Sequence, residues 1–546
     1  MSANDTKRVR SESPEFTIPP PDGIAGLKKY WKDDLLSGFL VFLIALPMSL
    51  GIAMASGFPA IAGVITAVVG GLFATFFGSA PLTIKGPAAG LIVIALGAVQ
   101  ELGGGAVGYR RALAAIVVAG VLQVGFALLR AGVLGDTFPS SVIHGMMAAI
   151  GVIIISKQGH TLLGAVPQPG EPLHLLAQLP NSVMHFEPEL AAIGIVSLLI
   201  LILWPKIKRP ELQRIPAPVL VVIVGIMMAK LFDLQHPHHY MIGGHDYQVG
   251  PRSLVPLDRS LVASITFPDW SAVTSGVSLK YTVMFALVGS IESMLSAKAV
   301  DTLDPWHRRS SLDKDLLATG LGNVIAGMLG GLPMISEIVR SSSNVASGAR
   351  TRWSNFFHGA LLLALVSMVP WLLKSIPLAS LAALLVFTGV RLASPKEFTK
   401  TWKIGKEQLL IFVVTMLVTL ATDLLIGVAV GVVTKLVVHL IGGMPLKGIF
   451  RPKIDESREG EAVVLHVGHA AVFSNYLTIK SKLDTLSNEK RVIVNLSDAR
   501  IVDHTVLEAL HALSDAWERE GRSLDVCGLE QHKRSSSHPM AVARRA

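Results

Sequence analysis

Between residues 35 and 441 the chain is a near-continuous succession of apolar runs, and two of these runs are broken in the same way. Lys85-Gly86-Pro87-Ala88-Ala89-Gly90 opens one, and Gly331-Leu332-Pro333-Met334-Ile335-Ser336-Glu337 leads into the other. Apolar runs of roughly 17 to 25 residues cross a bilayer as helices. Inside hydrocarbon, backbone interrupted by proline leaves N–H and C=O groups unpaired, at a cost on the order of several kcal/mol each, unless they are enclosed by protein or line a cavity. Two such breaks in corresponding positions of two halves point to the central binding site of an inverted-repeat transporter.

Composition excludes most other classes. The chain is 51% hydrophobic and 16% charged, as expected of a polytopic membrane protein. A net charge of +9 would suit nucleic acid, but Lys and Arg cluster in short segments between apolar runs, which is how a membrane protein sets its orientation. Cys527 is the single cysteine, so neither an intramolecular disulfide nor a multi-cysteine metal site is available. The first 34 residues are polar, carry Pro19-Pro20-Pro21 and show no secretory signal.

Hydropathy places fourteen segments, at 35–55, 58–78, 86–100, 110–130, 139–156, 189–204, 217–232, 280–297, 315–331, 335–347, 354–373, 378–392, 407–423 and 424–441. Alternating them from a cytoplasmic N-terminus puts the most basic loops inside: Lys206, Lys208 and Arg209; Arg308, Arg309 and Lys314; Arg350 and Arg352; Lys396, Lys400, Lys403 and Lys406. The broken segments are the third and the tenth, so each is third in a set of seven. An odd number of spans per half inverts one half relative to the other. The expected fold class is therefore an all-α polytopic membrane protein with fourteen spans in a 7+7 inverted repeat, followed by a small α/β domain. That domain is read from residues 461 onward: a strand from 462, a helix near 478–486, a strand at 491–496, a helix over 505–520 and a strand at 523–527. An even span count places it in the cytoplasm with the N-terminus, and residues 442–460 read as a linker.

Helix starts present free N–H groups and about half a positive charge each, which makes them anion sites. Backbone amides over Gly86, Pro87, Ala88, Ala89 and Gly90, and over Met334, Ile335, Ser336, Glu337 and Arg340, are the expected substrate site. Glu292 lies deep in the eighth span beside Ser290, Ser293 and Ser296, where an ionisable group is costly and by default functional. Glu292 with Ser293 and Ser296 is the expected site of a coupling cation, sodium or a proton. Glu337 reads either as a cap in the first turn of the tenth segment or as a site residue. Lys85 and Arg340 against Glu292 and Glu337, with two helix starts worth about one positive charge, are in rough balance with a monoanion. Three features weigh less: His236, His238, His239 and His245 as a solvated loop, Asp423 as a turn residue and His144 as structural.

These residues resemble the SulP anion transporters, a family that includes sulfate permeases, the cyanobacterial bicarbonate transporter BicA and animal prestin and pendrin. The carrying motifs are Ala45-Leu46-Pro47 with Ala53-Met54-Ala55-Ser56-Gly57, Gly86-Pro87, and Gly320-Leu321-Gly322-Asn323 leading to Gly330-Gly331-Leu332-Pro333. The tail is similar to the family's STAS domain. The resemblance implies a core domain (35–130 and 280–373), a gate domain (139–232 and 378–441), elevator-like alternating access and a homodimer. It adds Pro47 to the substrate site, matches Glu292 and Ser296 to the BicA sodium-site aspartate and threonine, and matches Arg340 to an arginine of animal members. Glu292 in place of aspartate, the extra acid Glu337 and Lys85 beside Gly86 depart from the pattern and leave room for proton coupling. Only 18 residues follow Gly528, too few for the usual final helix, and Thr505 in Asp503-His504-Thr505 is the one hydroxyl where STAS anti-sigma antagonists carry a phosphorylated serine after the aspartate.

The resulting expectation is a secondary active transporter of a small inorganic anion in the plasma (bacterial inner) membrane, both termini cytoplasmic. Bicarbonate is favoured, with sulfate, chloride or another oxyanion as the alternative. The expected partners are the anion, membrane lipid and a second copy, with no nucleic acid, no resident cofactor and no metal beyond a coupled ion. A nucleobase carrier would share the fold but need ring-edge donors and acceptors. A carbonic anhydrase would need clustered His or Cys ligands, which the sequence lacks.

Overall fold

The computed structural model describes residues 19–132, 139–166, 170–207, 215–242, 245–256, 261–306, 308–422, 424–486, 488–519 and 521–545. The membrane part is built from α1 (Gly23–Ala55), α2 (Ala60–Leu72), α3 (Ile92–Glu101), α4 (Gly105–Leu128), α5 (Ser140–Leu162), α6 (Pro172–Met184), α7 (Pro188–Leu203) and α8 (Ala217–Leu231). It continues with α9 (Gly276–Leu303), α10 (Leu312–Leu329), α11 (Ile338–Ala346), α12 (Trp353–Met368), α13 (Pro370–Lys374), α14 (Leu378–Leu392), α15 (Pro395–Ile404), α16 (Lys406–Ala421) and α17 (Leu424–Ile441). Each of the fourteen expected segments coincides with a helix, the eleventh with the α12–α13 pair. Among the described residues seven helices are by themselves long and apolar enough to cross a membrane, while α3 and α11 are short because the chain before each is extended. Those extended pieces are β1 (Ile84–Pro87) and, much later in the chain, β4 (Met334–Glu337). Between them a hairpin of β2 (His238–Ile242) and β3 (His245–Val249) carries the histidine-rich loop.

Local chemistry explains the boundaries. The Asp22 carboxylate accepts from the Gly23 N–H at 2.8 Å, the Ser275 hydroxyl from Ser278 N–H at 3.1 Å and the Ser311 hydroxyl from Lys314 N–H at 3.4 Å, each at a helix start. Gly330 ends α10 at φ 93°, a left-handed conformation that costs glycine little. The hydropathy count did not find α6 and α15, because both are amphipathic rather than apolar throughout. Ser394 and Pro395 start α15, and α6 is held to α5 by His160, whose ring nitrogens bond the Ser182 hydroxyl at 2.7 Å and the Leu175 carbonyl at 3.0 Å.

The chain divides into two compact units, Met1–Arg130 with Val196–Leu381, and Ala131–Ile195 with Ala382–Ala546. In the first, the inverted repeat is visible in pairs of backbones that meet glycine against glycine. A Cβ at Gly120 on α4 would sit 2.8 Å from the Gly320 carbonyl on α10, and a Cβ at Gly320 equally close to the Gly120 carbonyl. The pair related to it by the repeat also joins the two halves, Gly71 on α2 with Gly359 on α12, where a Cβ on Gly359 would lie 2.8 Å from the Gly71 Cα. Small residues permit such contact between spanning helices.

The second unit ends in the soluble module. Its sheet runs β10 (His532–Arg534), β11 (Ala543–Arg545), β8 (Ala499–Val502), β6 (Ala462–Ala471), β7 (Arg491–Asn495), β9 (Ser523–Cys527), with β5 (Lys453–Glu459) also on β6. β6 pairs parallel with β7 and β8, and β7 parallel with β9. The expected helices are α18 (Tyr476–Thr485) and α19 (His504–Arg519). Val463, Leu465, Val492, Val494, Ile479 and Leu510 are buried in its core. Two features differ from the sequence reading. Residues 453–459, read as linker, form β5, because their alternation is polar on an exposed edge and gives no apolar signal. The short tail after Gly528 folds into the β10–β11 hairpin, which pairs with β8 and buries Ala541, Val542 and Ala543.

Candidate functional site

The two broken segments meet. β1 and β4 pair antiparallel in the register Ile84↔Glu337, Lys85↔Ser336, Gly86↔Ile335 and Pro87↔Met334. α3, preceded by a single 3₁₀ turn at Ala89–Leu91, leaves one end of this ribbon, and α11 leaves the other. Four residues of strand put the two helix starts roughly 10 Å apart. The backbone groups that the ribbon does not pair are taken up by side chains. Asn323 accepts from the Met334 N–H at 2.6 Å and donates to the Met334 carbonyl at 3.2 Å. Ser341 accepts from the Ile84 N–H at 2.8 Å, and Thr66 donates to the Leu332 carbonyl at 3.0 Å. Irregular backbone at membrane depth is thereby satisfied within protein. Pro47 lies buried in the middle of α1, which packs against β1 and α3.

Because side chains alternate along a strand and face their partner across an antiparallel pair, the ribbon has two faces. One carries Lys85 and Ser336 and is closed. Lys85 Nζ donates to Asp315 Oδ1 at 2.7 Å and to Ser336 Oγ at 2.8 Å, while Ser336 Oγ donates to Asp315 Oδ2 at 2.8 Å. All three residues are at most 2% exposed. Ser293 of α9 serves the same network: it accepts from the Ser336 N–H at 3.1 Å and contacts Thr319 Oγ1 at 3.1 Å.

The other face is open in hydrogen-bond terms. The Arg340 guanidinium lies against Gly86, where any added Cβ would collide with Nη1. Arg340 is 0% exposed, yet among the described residues none of its three nitrogens has a hydrogen-bond partner. Glu337 is buried beside it, one carboxylate oxygen unpartnered, and does not cap its own helix. It faces the Ala89 N–H at the start of α3 instead. Glu292 on α9 points to that same helix start, since a Cβ at Gly90 would collide with Glu292 Oε1. Its Oε2 is buried without a partner, and Glu292 and Glu337 lie within electrostatic reach of each other. Ser296 follows one turn later on the same side of α9, half-buried.

Several expected residues therefore come together here: Gly86, Ala89, Gly90, Glu337, Arg340 and Glu292; Pro87, paired with Met334, alternates onto the Lys85 face. Others are committed elsewhere. The Ala88 N–H donates to the Pro333 carbonyl at 3.3 Å, and the Met334 and Ser336 amides are bonded as described; Ile335 is a buried side chain paired with Gly86. Asp315 went unnoticed in the sequence because it sits at the polar entrance of an apolar run. A lysine within a broken span signals such a partner, since a buried lysine needs a counter-charge. Asp315 removes Lys85 from the balance drawn above and leaves Arg340 with two glutamates.

The remaining candidates fall elsewhere. Thr505 is 4% exposed and its hydroxyl accepts from Lys435 Nζ at 2.6 Å. Asp503, also buried, pairs with Lys435 at 3.1 Å and accepts from the Val506 and Phe473 N–H groups at 2.8 and 3.0 Å. Burial alone would push the Asp503 carboxyl up, but Lys435, His439 and those amides hold it below the usual carboxylate range. In the hairpin loop His236 bonds Asp233 at 2.8 Å and His239 bonds Asp246 at 3.3 Å, and no cluster suited to a metal occurs among the described residues. His144 pairs with Glu397 at 3.5 Å, while Asp423 lies outside the described residues, as do Lys208 and Arg209.

Comparison with known proteins bears on what this arrangement is for. Residues 31–415 match the model of the sulfate permease family. The bicarbonate transporter BicA of Picosynechococcus is 27% identical over 406 residues, covering 73% of this chain and 69% of its own. A sodium-independent sulfate anion transporter of Bos taurus is 24% identical over 523 residues, covering 91% and 84%. The solved transmembrane domain of a cyanobacterial BicA superposes with a TM-score of 0.63 at 25% identity, over 73% of this chain and 97% of that one. Each of these relatives is by name a transporter rather than an enzyme, and the ribbon with its two helix starts lies inside the matched region. The chain is an integral membrane anion transporter that belongs to the sulfate permease family.

Proposed function

We propose that this transporter carries a small inorganic anion, with bicarbonate favoured, by secondary active transport coupled to sodium or protons. The observation that carries the reading is the convergence of buried Arg340 and Glu337, half-buried Glu292 and the start of α3 on one face of the β1–β4 ribbon, largely without hydrogen-bond partners among the described residues. Two helix starts supply about one positive charge, which together with Arg340 roughly offsets the two glutamates. An added monoanion then leaves an excess negative charge unless a glutamate is protonated or a cation enters with it. That charge balance supports coupled transport over a passive pore. Glu292, with Ser296 one turn on, is the proposed cation or proton site; Glu337, Arg340 and the amides around Gly86–Gly90 are proposed to hold the anion.

The name of the BicA relatives supports bicarbonate, and that of the bovine relative supports sulfate without sodium as the second reading. Elevator-type alternating access, a homodimer, placement in the plasma membrane with cytoplasmic termini, and Thr505 as a regulatory hydroxyl complete the proposal. The test is anion uptake into proteoliposomes, with anion, sodium and pH gradient varied separately. Bicarbonate uptake that responds to one gradient in wild type and loses that response in Glu292→Gln meets the proposal. Uptake and cation dependence unchanged in Glu292→Gln would refute the coupling role.

A further inference from the structure

His358 on α12 lies outside the β1–β4 ribbon, yet it has the properties expected of a site residue. It is 0% exposed, and among the described residues neither ring nitrogen has a hydrogen-bond partner. A buried imidazole in a settled core normally places both nitrogens, as His160 does here. The helices around His358 fix what it faces. Asn344 on α11 donates to the Ser354 hydroxyl at 2.9 Å, and Ser37 on α1 donates to Asn344 Oδ1 at 2.7 Å. One turn back from Asn344 on α11 is Arg340, and one turn on from Ser354 on α12 is His358. The Asn344–Ser354 bond ties α11 to α12 at that layer, and Arg340 on α11 and His358 on α12 each lie one turn from it. Arg340 is accordingly the charged group that acts on the ring. On α1, Gly38 packs against the His358 backbone, with 3.0 Å between a built Cβ and its N–H. The nearby acid on α1, Asp34, is already engaged: it accepts from the Thr351 hydroxyl at 2.5 Å and from the Arg350 and Thr351 N–H groups at 2.8 and 3.0 Å.

We infer that His358 is a second anion-binding arm, opposed to Arg340, and that one small acceptor-rich anion bonded to both satisfies the two orphaned side chains. A guanidinium offers donors only, and an imidazole offers at least one N–H. Both side chains keep buried N–H groups that no described residue accepts, and the oxygens of a small anion are the acceptors that would use them. This inference rests on the proposed anion site and extends it from the ribbon to α12.

The test is equilibrium binding of bicarbonate, sulfate and chloride to the purified full chain, read by anion-dependent thermal protection, alongside uptake KM in proteoliposomes. His358→Ala is expected to weaken the preferred anion by about tenfold to a hundredfold, the effect of losing a hydrogen bond to a charged group. Its melting temperature without anion stays near that of wild type. His358→Gln, which keeps an N–H donor, recovers most of the affinity, and does so even if the alanine variant fails to fold. Equal dissociation constants in wild type and both variants, or a melting temperature that falls with affinity unchanged, would overturn the inference. Normal binding in His358→Ala with intact uptake leaves the transporter reading standing and removes only His358. Absence of binding by wild type to any of the three anions would sink both.

Discussion

The two faces of the β1–β4 ribbon are built from the same kinds of residue and differ in one respect. On one face a buried cation, Lys85, has Asp315 and Ser336 within 2.8 Å. On the other a buried cation, Arg340, has the Glu337 carboxylate and the His358 imidazole within electrostatic reach and no hydrogen bond to either. Burying a charge is costly in proportion to what is left unpaired. The closed face thus holds the irregular backbone of two half-spans in place. The open face retains unmet hydrogen-bonding capacity, which a ligand can use. A site needs both: the ribbon must be rigid for helix starts to be aimed, and the groups they aim at must be unsatisfied until the ligand arrives.

The largest effect is expected on the closed face. Lys85→Met leaves Asp315 buried without its cation and should cost about 3–5 kcal/mol. Thermal unfolding of the purified protein is the measurement, and Lys85→Met with Asp315→Leu should recover most of the loss. If Lys85→Met is as stable as wild type, the closed face is not what holds the ribbon.

The open face should respond the opposite way. Arg340→Met removes an unsatisfied group, so the melting temperature should hold or rise, while anion uptake falls by about tenfold or more. A large drop in stability with uptake retained would mean that Arg340 is a scaffold residue like Lys85.

Gly90→Ala sharpens the geometry between the faces. A methyl group there collides with Glu292, and displacing a packed group typically costs about 1–3 kcal/mol. Uptake should fall in Gly90→Ala, and Glu292→Ala in the same chain should restore stability without restoring cation dependence. Stability unaffected by Gly90→Ala would place Glu292 away from the start of α3.

The smallest effect concerns the second buried lysine, Lys435, which closes on Asp503 and Thr505 in the other unit. The Asp503 carboxyl is held below its ordinary value, so its contribution is present above the unfolded pKa of about 4 and is lost as pH falls through the depressed folded value. Limited proteolysis between α17 and β6 should therefore be constant from pH 5 to 8 and increase only in stronger acid. Increased cleavage near pH 6 would contradict the assignment.

Much of this was legible in the sequence. The fourteen segments, the matched breaks and the strand–helix alternation of the tail follow from hydropathy period and from where glycine and proline fall. Glu292, Glu337 and Arg340 stood out because charges are rare at membrane depth. Asp315 and His358 did not, for different reasons. Asp315 lies at a helix start, where acids are ordinary; only its pairing with Lys85, 230 positions earlier, makes it structural. His358 looks like any histidine in an apolar helix until α11 is laid beside α12. The amides at Ala88 and Ser336 were expected to be free, and no spacing rule reveals that Pro333 and Ser293 already occupy them.

The most direct measurement is the position of a heavy anion in crystals of the full chain soaked with bromide or selenate, located by its anomalous signal. The account predicts a peak on the Gly86–Glu337–Arg340 face of the ribbon, beside His358 and between the starts of α3 and α11. A peak on the Lys85–Asp315 face, or one remote from the ribbon with the Arg340 face empty, would contradict it.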